Sequence, residues 1–283
     1  VVGITLPEIW AGVIALGLNA AGFIAEIVRA GVGAIESGEG TIGYADASQA
    51  GDLGIWFSNQ GKDVKPKIEI DLAAVNKRLR DIADAQSHDM LQNLKDAGVR
   101  VIHGSGRLDT NHFVIATDSQ GKEERIAAKT IVIAVGATPR EMPTAKPDGQ
   151  RILNWKQLYN LDSLPEHMIV VGSGVTGAEF ASAFRGLGCE VTLISSRDMV
   201  LPSEDAEASK VIESVFRKRG IHIYEKARAE SVVNKGKHVE VTLADGRVIE
   251  GSHCLMAVGG IPNTAGLGLE DAQIAVTETG HIV

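Results

Sequence analysis

The sequence predicts an α/β protein whose second half is built on a doubly wound parallel sheet. Three observations carry that expectation. From His167 to Ser195 the run "HMIVVGSGVTGAEFASAFRGLGCEVTLIS" reads strand, glycine turn, helix, strand, the βαβ unit of such a sheet. From Gly51 onward, helical and strand-like periodicities alternate between clear turn signals. The chain has 283 residues, 44% of them hydrophobic, which is long for one compact domain and enough for two cores.

Composition narrows the function classes. A formal net charge of -8, with no basic run and no interleaving of aromatic with basic residues, argues against a nucleic-acid partner and for a small-molecule ligand. The two cysteines, Cys189 and Cys254, are too far apart for a CxxC or CxxxxC redox pair and read as reduced structural thiols of a cytoplasmic protein. The eight histidines are scattered singly, without an HExxH pattern, so no metal site is expected.

Residues 1–43 differ in kind from the rest. The stretch Ile9 to Ala25, "IWAGVIALGLNAAGFIA", carries no charge. It sits at the lower edge of the roughly 17 to 25 residues that span a membrane; a buried soluble helix is the competing reading. No basic segment precedes it and no small-residue cleavage site closes it before Glu26 and Arg29, so it is not read as a signal peptide. The following "NAAGFIAEIVRAGVGAIESGEG" resembles the coupling loop and preceding span of permease subunits of polar amino-acid ABC transporters, at Ala25, Glu26, Ile27, Arg29 and Gly31. One span and one loop form no translocation path, so no transport function carries over; membrane association is separately not expected.

Residues 44–150 read as a first unit. Asp71 can cap a long helix in which Leu72, Val75, Leu79, Ile82, Met90 and Leu94 recur at helical spacing, and Gly98 can end it. The runs "VRVIHG", "HFVIATD" and "ERIAAKTIVIAVG" then suggest a small strand meander, with a turn at Asp118 to Gly121. A second unit, 151–269, holds the βαβ run, a helix at about Ala206 to Lys218, the strand "GIHIYE", and strands joined by Asn-Lys-Gly-Lys and Ala-Asp-Gly turns. Residues 270–283 begin a return to the first unit.

Gly172, Gly174 and Gly177 satisfy G-x-G-x-x-G directly after an apolar strand. The first glycine permits the tight turn, the second lets a pyrophosphate approach the backbone, and the third lets the helix pack on the strand. With Ser173, Val175 and Thr176 between them, they would present backbone N–H groups to a dinucleotide at the positive end of the helix. A purely structural turn is the alternative. Where NAD binders place an acidic residue for the ribose, this chain has Ser195, followed by Ser196 and Arg197. A serine does not repel a 2′-phosphate and an arginine can pair with one, so NADP is favoured over NAD; Arg197 as an ordinary surface charge is the competing reading.

Four segments in order, "IVIAVGATPREMP", "VVGSGVTGAEFA", "VLPSEDAEAS" and "MAVGGIPNTAGLGLE", resemble the pyridine-nucleotide disulfide oxidoreductase family over about Gly51 to Val283. That family includes dihydrolipoamide dehydrogenases, glutathione reductases and flavoprotein quinone reductases. The resemblance implies a Rossmann-like NAD(P) domain inserted in a partial FAD-binding domain. It also implies cofactor contacts at Glu179 after the glycine turn, at Ala229, at the crossovers Ala134, Val135, Gly136 and Val258, Gly259, Gly260, and at a "HGSGRL" turn centred on Gly104, Ser105 and Gly106. Val135 stands where the family has threonine and Gly260 where arginine is common.

The family's opening glycine fingerprint for FAD and its CxxxxC disulfide have no counterpart in the chain, "GVGAIE" having Glu36 at the third glycine. The sequence also stops before the family's C-terminal domain, which supplies the dimer contact and a catalytic histidine. The chain therefore reads as the central part of a reductase, with no catalytic residue assigned. The leading reading is a flavoprotein oxidoreductase passing hydride from NAD(P)H to FAD and on to a quinone-like or disulfide acceptor. A non-catalytic NADP(H)-binding module and a membrane-associated transport fragment are the rivals.

Overall fold

The computed structural model describes residues 55–58 and 67–283, so the permease-like segment and the candidate span lie outside the described residues. In chain order the elements begin with β1 (Ile55–Ser58), β2 (Lys67–Ile70) and the long helix α1 (Leu72–Asp96). A meander follows: β3 (Gly104–Thr110), β4 (Phe113–Asp118) and β5 (Glu123–Ala127). Next come β6 (Ala137–Pro139), β7 (Ile152–Leu153), the short α2 (Trp155–Leu158), β8 (His167–Val171), α3 (Val175–Gly186) and β9 (Glu190–Ile194). Helix α4 (Ala206–Lys218) leads to β10 (Ile221–Tyr224), then β11 (Ala229–Asn234), β12 (Val239–Leu243), β13 (Val248–Gly251), β14 (His253–Met256) and β15 (Gly260–Pro262).

Contacts divide the chain into two units. One holds 139–259 and the described residues up to Asp81; the other holds 82–138 and 260–283. In the first, five strands form a parallel sheet in the order β10-β9-β8-β14-β7. Successive side chains on a strand point to opposite faces, and both faces of this sheet are covered, as parallel sheets require. Met168, Val170, Val191, Leu193 and Leu255 pack under helical residues Ala178, Ala181, Phe184 and Phe216. Ile169, Val171, Ile194, Cys254 and Met256 face the antiparallel sheet β11-β12-β13 through Val232, Val239, Val241, Leu243 and Ile249.

Helix α1 begins as its sequence suggests, with Asp71 Oδ1 accepting the Ala74 N–H at 3.0 Å, and it ends at Gly98, whose φ is +72°. Its first turns are anchored: Leu72 and Val75 are buried, and Asn76 Nδ2 donates to the carbonyls of Leu158 and Leu161. The apolar stripe continues, but Ile82 and Met90 remain 42% and 37% exposed.

In the second unit the antiparallel meander β3-β4-β5 forms as expected, with the Asp118 carboxylate accepting the N–H groups of Gln120 and Lys122 in the turn. Three local expectations are corrected. The run "VRVIHG" is not a strand; β3 starts only at Gly104, so the expected turn at Gly104–Gly106 is instead strand, paired to Asp118–Ala116. A Cβ at Gly104 would lie 1.9 Å from the Thr117 carbonyl oxygen, so glycine there serves close strand approach. Residues 128–136 form no ladder. Their alternation reflects burial without pairing: Ile131 and Ile133 pack on Leu108, Leu269 and Ala272, while Val132 is 61% exposed.

Candidate functional site: the glycine turn at the switch point of the parallel sheet

Strand order places the site. The sheet winds from β8 out to β9 and β10, then returns across β8 to place β14 on its other side, so the carboxyl ends of β8 and β14 form the switch point where such sheets bind ligands. Both strands end there in glycine-bearing turns, Gly172–Gly177 after β8 and Val258–Gly259 after β14.

The three fingerprint glycines have different physical reasons. Gly172 has φ +109°, and a Cβ on it would meet the Ala257 carbonyl oxygen at 2.2 Å. A Cβ on Gly177 would lie 1.9 Å from the Gly172 carbonyl oxygen, so helix α3 could not close onto β8. These two are dictated by the protein's own packing. Gly174 is not: its φ is -69°, open to any residue, and a Cβ there would meet nothing within 4 Å.

Gly174 is also the N-cap of α3, and no side chain caps that helix. Helices α1, α2 and α4 are capped by Asp71, Asn154 and Asp205 respectively. The N–H groups of the first turn of α3, from Val175, Thr176 and Gly177, thus face the open side of Gly174 at the positive end of the helix dipole, an arrangement suited to a phosphate. Exposed Val175 stands at the rim.

The turn is tied to the end of β9. Ser173 Oγ donates to Ser195 Oγ at 2.7 Å, and Ser195 Oγ also accepts the Arg197 N–H at 3.1 Å and lies 3.1 Å from the Arg197 carbonyl oxygen. Ser195 is fully buried, so its hydroxyl braces the turn from within, while Ser196 and Arg197 are exposed beyond it. Ala229 turns its methyl group into the core with Val232 and Leu243, leaving only its backbone for any ligand.

Glu179, two residues past Gly177, is half-buried, and burial raises its carboxyl above the usual range. Its carboxylate makes no hydrogen bond or ion pair among the described residues. Tyr159, which no sequence pattern marks, packs edge-on against Phe180 with ring centroids 6.1 Å apart. Burial first, and then the Glu179 charge, push its hydroxyl up.

The remaining sequence-predicted residues lie in the other unit, on two different sets of partners. Gly104, Ser105 and Gly106 are in β3. Ala134, Val135 and Gly136 are exposed and tied to Asn263, whose backbone N–H donates to the Gly136 carbonyl at 3.0 Å and whose Nδ2 donates to that of Val135 at 3.0 Å. Thr138 Oγ1 donates to Asn263 Oδ1 at 2.7 Å, so Asn263 organises this crossover although only its neighbours were singled out from sequence. Gly260 opens β15, where a Cβ would stand 3.1 Å from the Ala137 Cβ.

His238, just before β12, Glu240 on β12 and Glu250 on β13 bring donor atoms within 4.8 Å of one another, but Lys235 Nζ already lies 3.0 Å from Glu240 and supplies balancing charge. Among the described residues no helix is long and apolar enough to cross a membrane.

Known proteins share this arrangement. The pyridine nucleotide-disulphide oxidoreductase family matches residues 37–283. An NAD(P)H dehydrogenase (quinone) of Mycobacterium tuberculosis is 49% identical over 220 residues, covering 76% of this chain and 45% of the relative. A dihydrolipoyl dehydrogenase of Zymomonas mobilis is 32% identical over 212 residues, covering 74% and 46%. The crystal structure of LpdA from Mycobacterium tuberculosis superposes with a TM-score of 0.70 at 41% identity, over 90% of this chain and 52% of that one. The chain therefore spans about half the length of the relatives it matches. It is a member of the pyridine nucleotide-disulphide oxidoreductase family, as its Rossmann-like sheet and glycine turn indicate.

Proposed function

We propose that this chain binds NAD(P)H on the glycine turn between β8 and α3. In that role it forms the nucleotide-binding part of a flavoprotein oxidoreductase that passes hydride from NAD(P)H to FAD and on to a small-molecule acceptor. The observation that carries the reading is Gly174. Gly172 and Gly177 are required by internal contacts, whereas the glycine between them answers to nothing in the protein and opens onto uncapped N–H groups. A pyrophosphate is the group that asks for such a position. The dinucleotide domain expected at 151–269 overlaps the unit at 139–259, and the partial FAD domain expected at 44–150 with 270–283 overlaps the unit of 82–138 with 260–283, whereas the described residues up to Asp81 and 139–150 group with the dinucleotide unit.

When bound, NAD(P)H supplies the hydride; the chain's own residues hold and aim it. The backbone from Gly172 to Gly177 holds the pyrophosphate, Ser196 and Arg197 stand at the ribose, and Val258 and Gly259 border the site from β14. Glu179 presents a half-buried carboxyl along α3, held toward its neutral form by burial. The acceptor is a quinone-like molecule or a disulfide outside the residues of this chain. Both cysteines of this chain are buried, and burial pushes the Cys189 thiol up to about 12 and that of Cys254 up as well, so neither offers a thiolate for exchange. We place the protein in the cytoplasm.

The test is an absorbance spectrum of the purified chain followed by NADPH titration. A flavin band bleached by NADPH is the expected result. NADPH binding without a flavin band would support a non-catalytic nucleotide-binding module instead, and binding of neither NADPH nor NADH would overturn the assignment.

A further inference from the structure

The loops that follow β9 and β10 are joined by backbone hydrogen bonds. Ser195 N–H donates to the Tyr224 carbonyl at 2.8 Å, Ala227 N–H to that of Ser195 at 2.8 Å, and Lys226 N–H to that of Arg197 at 2.9 Å. Ala227 is buried and anchors the second loop, while Lys226 takes the left-handed region, φ 50°, which side chains other than glycine seldom adopt. The strained turn delivers the lysine beside Arg197. Both side chains are exposed. Arg197 makes no side-chain hydrogen bond or ion pair among the described residues, and Lys226 Nζ makes only a loose 3.7 Å pair with exposed Asp198.

This is the end of the second strand of the βαβ unit, where a dinucleotide's adenosine ribose lies and where an acidic side chain would read its hydroxyls. Ser195 holds that position with its hydroxyl bonded inward, so discrimination passes to the exposed groups around it. Those include Ser196, Arg197, Lys226 and two carboxylates, Asp198, which is paired loosely to Lys226, and Glu225, which is held by Arg217.

We propose that Lys226, with Arg197, binds the 2′-phosphate and makes the site selective for NADPH over NADH. The inference rests on the dinucleotide reading and extends it to a residue 52 positions beyond the second glycine of the turn, outside the sequence fingerprint. An ammonium and a guanidinium on one phosphate form charge-assisted hydrogen bonds that NADH cannot make. The exposed pair to Asp198 is too weak to compete with a dianion.

The test titrates NADPH and NADH into the full chain by nucleotide fluorescence, at low salt and at about 0.5 M salt. Expected are a preference for NADPH of about tenfold that shrinks in salt, and a Lys226→Gln variant that loses most of it, about fivefold, with NADH binding unchanged. Lys226→Arg should retain the preference, and Asp198→Asn should increase it. Loss of both nucleotides equally in Lys226→Gln, or no change in either, would overturn the role of Lys226. So would an Asp198→Asn variant that weakens NADH binding, because Asp198 would then be reading the ribose. Tight NADH binding without preference for NADPH would sink this inference and leave the dinucleotide site standing, whereas binding of neither nucleotide would sink both.

Discussion

The two units differ in how their sequence is used. In 139–259, twelve or more large side chains on the parallel sheet and its covering layers are almost wholly buried, on both faces. In 82–138 with 260–283 the buried cluster among the described residues is Leu108, Leu269 and Ala272, and β5 is exposed along nearly its whole length. Glycine follows the same division. At Gly104 it serves close strand pairing; at Gly174 it serves nothing inside the protein. A site assigned in the first unit therefore rests on a scaffold that can hold it, and the FAD contacts inferred for the second rest on local pairing alone.

That contrast can be broken, and the largest effect belongs to the sheet. Leu193→Ala empties a fully buried position on the helix-covered face of the sheet and is expected to cost about 4 kcal/mol in urea unfolding. Gly177→Ala comes next, at about 3 kcal/mol, because the new methyl meets a backbone carbonyl that cannot rotate away. Leu108→Ala, in the sparse cluster, should cost about 2 kcal/mol; a cost equal to that of Leu193→Ala would abolish the distinction between the units.

The smallest effect is electrostatic and lies in the site. Because burial raises the Glu179 carboxyl, its neutral form is favoured in the folded chain. The associated stability is present below the ordinary carboxylate value of about 4.5 and is lost as pH rises through the raised folded value. Glu179→Gln should therefore raise the melting temperature by about 1–2 °C at pH 8 and have no effect at pH 4. A gain that appears at low pH instead would reverse the assigned cause.

Much of the parallel unit was legible because local signals agreed with its tertiary packing. The helix expected at about Ala206 to Lys218 forms over those residues, capped by Asp205 through Glu207 and Ala208 N–H, and the Ala-Asp-Gly turn joins β12 to β13. The meander was less legible at its margins. The period-two run at Ile131 and Ile133 is real, but burial against Leu108 produces it without a partner strand, and hydrophobic alternation cannot tell those apart. Within the site, the fingerprint turn and the Ser195 position follow from spacing. The inward hydroxyl of Ser195, the proximity of Tyr159 to Glu179 and the approach of Lys226 to Arg197 depend on pairing between distant segments, which no local pattern encodes.

The central claim is that Gly174 is kept open for a nucleotide phosphate, and Gly174→Ser tests it directly by thermal melting and NADPH titration on the same sample. At φ -69° with empty space around it, serine fits and can cap α3, so the fold should melt at the same temperature or slightly higher while NADPH affinity falls by more than about tenfold. A variant that folds normally and binds NADPH as well as the parent would contradict the account.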